Sequence, residues 1–186
     1  CIGALLTIAP ENAALVRGIE RADSLALDLH KWLHAPFDVG CVLVRDRETH
    51  LATFAEPAEY LAASPRGLAA GEMLHNYTFE TTRSFRALKV WMMLKYHGVE
   101  RFGQLIDQNI AQARYLAAKV SADPLFDLMA PVATAIVCFR YNPGRMAEAA
   151  LDALNGELLL RLPRLNAVSM KSTSSLSLKI IRPSWF

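Results

Sequence analysis

The period of apolar and polar positions changes several times along the chain, and each change marks an element. Ser24 to Leu29 is a short run of Leu and Ala without polar alternation, and Gly40 to Val44 is a second. Both predict buried strands. Before them, the apolar stretch Cys1 to Ile8 is broken by Ala9-Pro10-Glu11-Asn12, and Asn12 is placed to cap a brief helix from Ala13 to Ile19. Asp46-Arg47-Glu48-Thr49-His50 reads as a polar turn, and Leu51 to Glu72 as an irregular connection. There, Pro57, Pro65, Gly67 and Gly71 interrupt any helix.

Three-and-four spacing takes over in the second half. Thr81 to Lys89 opens a helix that Thr81, Thr82 or Ser84 can cap, with Phe85, Leu88, Trp91, Met92 and Tyr96 on one buried face and Gly98 at its end. A longer helix runs from about Val99 to Ala122, its face marked by Phe102, Leu105, Ile106, Asn109, Ala113, Leu116, Ala117 and Val120; Ser121-Ala122-Asp123-Pro124 stops it. Phe126 to Met129 and Ala135 to Tyr141 predict strands separated by Pro131, and Asn142-Pro143-Gly144 is a turn. Met146, Ala150, Ala153, Leu154 and Leu158 predict an amphipathic helix from Arg145 to Leu160, and the alternation of Leu176, Leu178 and Ile180 a last half-buried strand. No internal repeat is present.

Composition narrows the function classes. The 186 residues are 53% hydrophobic and 20% charged, enough apolar material for a core. Twenty basic residues against 18 acidic ones, with no run of five like charges, point to neither nucleic acid nor an anionic membrane as partner. No apolar run approaches the ~20 residues of a membrane span. Cys1, Cys41 and Cys138 are far apart in no metal-ligating spacing, which predicts packed, reduced thiols in a cytoplasmic protein, with no disulfide frame and no metal site.

The candidate chemistry lies between the first two strands. Lys31, flanked by His30 and Trp32, stands where a strand gives way to a loop. Such a lysine is expected to be partly desolvated, and desolvation disfavours the ammonium form, leaving an amine able to attack a carbonyl. A solvated surface lysine is the alternative.

Ala22-Asp23-Ser24, Asp28-Leu29-His30-Lys31-Trp32-Leu33 and Pro36-Phe37-Asp38-Val39-Gly40-Cys41 together resemble the cofactor-lysine region of the pyridoxal-phosphate-dependent group II amino-acid decarboxylases. This family includes the aromatic-L-amino-acid and glutamate decarboxylases. The resemblance extends to Pro57-Ala58-Glu59-Tyr60-Leu61, which is similar to the lid segment carrying a catalytic tyrosine, and to the phrase Arg83-Ser84-Phe85-Arg86-Ala87-Leu88-Lys89 after the lid.

The resemblance implies an α/β fold. Residues 1–98 would be the C-terminal part of the large domain of a fold-type I pyridoxal-phosphate enzyme, 99–122 a bridging helix, and 123–186 a small α+β C-terminal domain. It implies pyridoxal 5'-phosphate as cofactor, an imine on Lys31, cofactor contacts from His30 and Asp28, and protonation of the carbanionic intermediate by Tyr60 while the lid excludes water. Asp28 stands where some relatives have a phosphate-contacting asparagine, and a carboxylate beside phosphate is unfavourable, so that contact is in doubt. The family's ring-pairing aspartate falls, by this register, just before Cys1.

The chain therefore reads as a C-terminal portion of a larger carboxy-lyase whose small-molecule substrate is an amino acid, homodimeric as a complete enzyme. Another reaction of the same cofactor is one alternative: aldehyde-forming oxidation, transamination or carbon–carbon cleavage. A fragment lacking half of the cofactor site is another, and the 186 residues alone are expected to bind the cofactor weakly.

Overall fold

The two apolar runs of the first half meet as an antiparallel pair, β1 (Ser24–Asp28) and β2 (Gly40–Val44), in register from Ser24 opposite Val44 to Asp28 opposite Gly40. They belong to a computed structural model that describes residues 2–55, 66–67, 70–71, 73–166 and 177–178. Its two units are Cys1–Gly103 and Gln104–Phe186.

In the first unit both strands form where expected, but the expectation that they are buried fails. Only Leu27 is buried, and Val42 and Leu43 are more than half exposed. A pair of strands buries its faces only against something laid over them, and no described element covers β2. The burial is instead in the loop between the strands, where Trp32, Leu33, Ala35 and Val39 are 3–5% exposed.

The expected helix Ala13 to Ile19 is two 3-10 turns, Ala13–Val16 and Ile19–Arg21, separated by Gly18 at φ 98°; the side chain of Asn12 makes no cap bond and is buried. The predicted polar turn at 46–50 is the start of a helix, α1 (Arg47–Phe54). Asp46 caps it, its carboxylate accepting from the backbone N–H groups of Glu48 (2.9 Å) and Thr49 (3.0 Å) and from the Thr49 hydroxyl.

Helix α2 (Arg86–His97) starts later than expected, with Phe85 at its cap position and no side-chain cap from Thr81, Thr82 or Ser84; Gly98 ends it at φ 77°. Its predicted buried face is open: Phe85 is 74% exposed, Trp91 60% and Tyr96 86%, with Leu88 and Met92 also exposed. The three-and-four spacing marks a face able to pack, and whether anything packs there is a tertiary fact.

Helix α3 (Val99–Ala122), most of which lies in the second unit, has the ends and face of the sequence pattern. Phe102, Ile106, Asn109, Ala113, Ala117 and Val120 are buried, Leu105 and Leu116 half-buried, and Ile110 joins them fully buried. Ala113, Ala117 and Val137 form a core cluster against which Leu116, Val132 and Phe139 pack.

The expected strand Ala135 to Tyr141 is split. Its first part, β4 (Ile136–Val137), runs parallel to β6 (Ser177–Leu178), while β5 (Phe139–Tyr141) pairs antiparallel with β3 (Phe126–Leu128). The chain changes partner at Cys138, whose carbonyl accepts from Met129 N–H at 2.8 Å.

The last helix, α4 (Glu148–Asn166), begins and ends later than predicted. Gly144 and Arg145 both have left-handed backbone (φ 79° and 59°), which keeps the helix from starting there. At its other end the helix continues past Leu160 to Asn166.

Mixed helix and strand content agrees with the α/β expectation. No helix among the described residues is long and apolar enough to cross a membrane. Cys41 and Cys138 are free thiols, half-buried rather than fully packed, and burial pushes the Cys41 thiol up. Among the described residues no group of three His, Cys, Asp or Glu side chains is placed to hold a metal.

Candidate active site

The site is assembled on the turn that leaves β1. Asp28 is the last residue of the strand, and the Lys31 N–H donates to the Asp28 carbonyl at 3.0 Å, closing a tight turn that sets residues 28 and 31 side by side. Their side chains meet: Lys31 Nζ lies 2.5 Å from Asp28 Oδ2. The Asp28 carboxyl is held below the usual carboxylate range, first by the hydrogen bond from Lys31 and also by its charge.

This geometry corrects one expectation. The Lys31 side chain is 41% exposed, so burial does not dry its amine. What anchors the turn is backbone. Leu29 N–H donates to the Val39 carbonyl (3.2 Å), Ala35 N–H to the Leu29 carbonyl (3.1 Å), and His34 N–H to the Lys31 carbonyl (3.1 Å), with His34 in the left-handed region at φ 57°. Buried Trp32 and Leu33 follow Lys31 directly, so the amine stands on a packed base.

His30 braces the loop from within. Its Nδ1 lies 2.9 Å from the Val39 carbonyl oxygen and 3.3 Å from the Val39 nitrogen. Val39 thus faces Nδ1 with both its carbonyl oxygen, which can accept from a protonated Nδ1, and its N–H, which can donate to a bare one. The ring also meets Phe37 edge to face at 4.9 Å.

Sequence reasoning missed the attachment of this loop to α2. Lys89 Nζ donates to the Asp38 carbonyl at 2.7 Å, and Arg86 Nε lies 3.4 Å from Asp38 Oδ2 with its Nη1 3.7 Å from Glu80 Oε2. The Asp38 carboxyl is held low by its own backbone N–H and by Arg86. The available signal was the pair Arg86 and Lys89, three apart on one helical face.

Asp28, His30 and Lys31 thus share one turn. Tyr60 and the rest of Pro57-Ala58-Glu59-Tyr60-Leu61 lie outside the described residues. A cleft of about 270 Å³ lies at the other end of the strand pair, lined by Ala22, Asp23, Leu25, Val44 and Arg45, away from Lys31.

The model of the pyridoxal-dependent decarboxylase conserved domain matches residues 2–142. The chain belongs to that family. An aromatic-L-amino-acid decarboxylase of Bacillus atrophaeus is 35% identical over 180 residues, covering 96% of this chain and 37% of the relative. Tryptophan decarboxylase 1 of Oryza sativa subsp. japonica is 33% identical over 159 residues, 83% of this chain and 31% of its own. Among solved structures, Oryza sativa TDC with PLP and tryptamine superposes with a TM-score of 0.78 at 29% identity, covering 89% of this chain and 34% of that one. Mouse CSAD, at 22% identity and a TM-score of 0.72, shares the fold. The chain spans roughly a third of the length of the curated relatives it matches.

Pyridoxal phosphate is the cofactor of this decarboxylase family, and the turn fits one end of it. A primary amine suits the cofactor's aldehyde carbon, and the Lys31 side chain is partly exposed. The phosphate end finds no such fit at residue 28, where a carboxylate is paired with the amine.

Proposed function

We propose that the whole protein decarboxylates an amino acid with pyridoxal phosphate as cofactor, Lys31 holding the cofactor's aldehyde. The observation that carries this reading is the family match over residues 2–142, which includes Lys31 on its braced turn. When bound, the cofactor supplies an electron-accepting ring for the electron pair left as a bond at the alpha carbon breaks.

The chain's own residues have separate tasks in this reading. Lys31 Nζ would hold the cofactor's aldehyde carbon between turnovers. His30, with its Nδ1 engaged by Val39, keeps Nε2 for the cofactor or substrate. Asp28 keeps the lysine oriented. Tyr60 protonates the carbon that has lost its carboxylate, on a lid that excludes water. Residues 1–98 belong to the cofactor domain, 99–122 to a bridge and 123–186 to a small domain, in a homodimer working in the cytoplasm. The named relatives favour an aromatic amino acid as substrate.

The test is made on the complete polypeptide. Borohydride reduction with pyridoxal phosphate should leave the reduced adduct on Lys31, and turnover should yield amine and carbon dioxide in equal amounts without oxygen uptake. Oxygen consumption with aldehyde product would replace decarboxylation by oxidation; an adduct on another lysine would remove Lys31 from its role.

A further inference from the structure

We propose that Asp28 is a positioning residue whose carboxylate tethers the Lys31 ammonium, so that condensation at Lys31 requires this ion pair to open first. The inference rests on reading Lys31 as the cofactor lysine. It assigns Asp28 to the amine and not to the cofactor phosphate.

Three observations carry it. The Nζ–Oδ2 separation is 2.5 Å, a direct charge-assisted contact with no room for an intervening water. The pair is built into the backbone, since the Lys31 N–H to Asp28 carbonyl bond of 3.0 Å closes the turn that sets the two side chains together. Both side chains are only partly exposed, 41% for Lys31 and 29% for Asp28, so the carboxylate covers part of the amine that a carbonyl must reach.

The chemistry follows from proton balance. An ammonium has no lone pair. It must release a proton to solvent before nitrogen bonds to an aldehyde carbon, and the aldehyde oxygen then leaves as water. Asp28 is held well into its ionised form by Lys31, which makes it a firm counter-ion and a poor acceptor for that proton. It therefore fixes the direction of the ammonium and stands across one approach to it.

The experiment uses the full chain and a neutral aliphatic aldehyde with cyanoborohydride, which delivers hydride to the condensed C=N and fixes the product as a secondary amine. Peptide mapping follows the rate at Lys31, with exposed Lys95 as internal reference. A neutral probe keeps phosphate recognition out of the measurement.

Asp28→Asn, which keeps shape and removes charge, should react about two- to fivefold faster at Lys31 at low salt, the range an exposed ion pair supports. Raising the salt to 1 M should speed the wild type toward the variant and leave the variant unchanged. Asp28→Glu should restore slow, salt-sensitive reaction, which a merely structural role for residue 28 would not.

Equal rates in wild type and Asp28→Asn, or a slower variant, would overturn the tether. Should Asp28→Asn lose its circular dichroism, the wild type decides: a Lys31 rate that does not rise with salt relative to Lys95 overturns the proposal. Failure of the cofactor reading is a different result, an absent pyridoxal-phosphate adduct on Lys31 in the complete polypeptide.

Discussion

A side chain's contribution depends on the few atoms it meets, and Gly103 illustrates how little room there can be. A Cβ at this position would lie 1.9 Å from the backbone carbonyl oxygen of Ile8 and 3.3 Å from Pro10 Cδ, so the first turn of α3 approaches the 3-10 turn Gly3–Ile8 as closely as backbone allows. A glycine inside a helical pattern usually has such a packing reason. Gly103→Ala is therefore expected to destabilise the first unit by roughly 1–3 kcal/mol in urea unfolding, the range for overpacking. Gly3→Ala, where nothing lies within 4 Å, is the control and should stay near wild type. His30 makes the complementary point. Its Nδ1 hydrogen bond to Val39 closes a nine-residue separation, which turns a side chain next to the candidate lysine into a brace for its loop.

Among the elements, the loop between β1 and β2 and the start of α2 act together. Lys89 and Arg86 hold Asp38, Asp38 precedes buried Val39, and Val39 accepts from Leu29 N–H and meets His30 Nδ1. Each exposed contact is weak alone, but the two share one anchor. The double variant Arg86→Met with Lys89→Met should raise hydrogen exchange at the Leu29 and Ala35 amides by roughly three- to tenfold while the α3 amides keep their protection. No change at Leu29 would show that the backbone bonds and buried Trp32 hold the loop without α2. The limits of sequence reasoning are clearest here as well. The ends and buried face of α3 were legible because 24 residues carry one uninterrupted period. The equally periodic face of α2 misled, because periodicity reports the capacity to pack and not the presence of a cover. The split of Ala135 to Tyr141 at Cys138 was illegible for a related reason: both halves have strand composition, and only the positions of β3 and β6 divide them.

For the whole molecule, the depressed carboxyls set the response to acid. Asp28, Asp38, Asp46 and Asp127 all have folded values below the ordinary aspartate value. For Asp127 the causes are hydrogen bonds from Asn142 and then Arg140. Such groups bind fewer protons folded than unfolded. Their stabilisation is complete above the unfolded value of about 4 and is lost as pH falls through the lower folded values. The urea midpoint should thus change little from these groups between pH 7 and 5, then fall steeply below about pH 4. Asp127→Asn should lessen that acid dependence in the second unit, where Arg140 joins Asp127 at 2.9 Å to Glu148 at 2.8 Å. An acid limb unchanged by the substitution would show that the Asp127 contacts do not persist in solution.

By itself, the sequence determined the features that depend on neighbours along the chain: the strands on either side of Lys31, the course of α3, the glycine stop at Gly98, and the residue phrases that mark a pyridoxal-dependent decarboxylase. Tertiary structure alone decided which faces are covered, where β4 and β5 part, and that the amine of Lys31 lies in the grip of Asp28 and not in a dry pocket. The physical reason is range. Propensity and period act over a few bonds, whereas burial, strand partner and the charge beside an amine are fixed only when the chain has folded back upon itself.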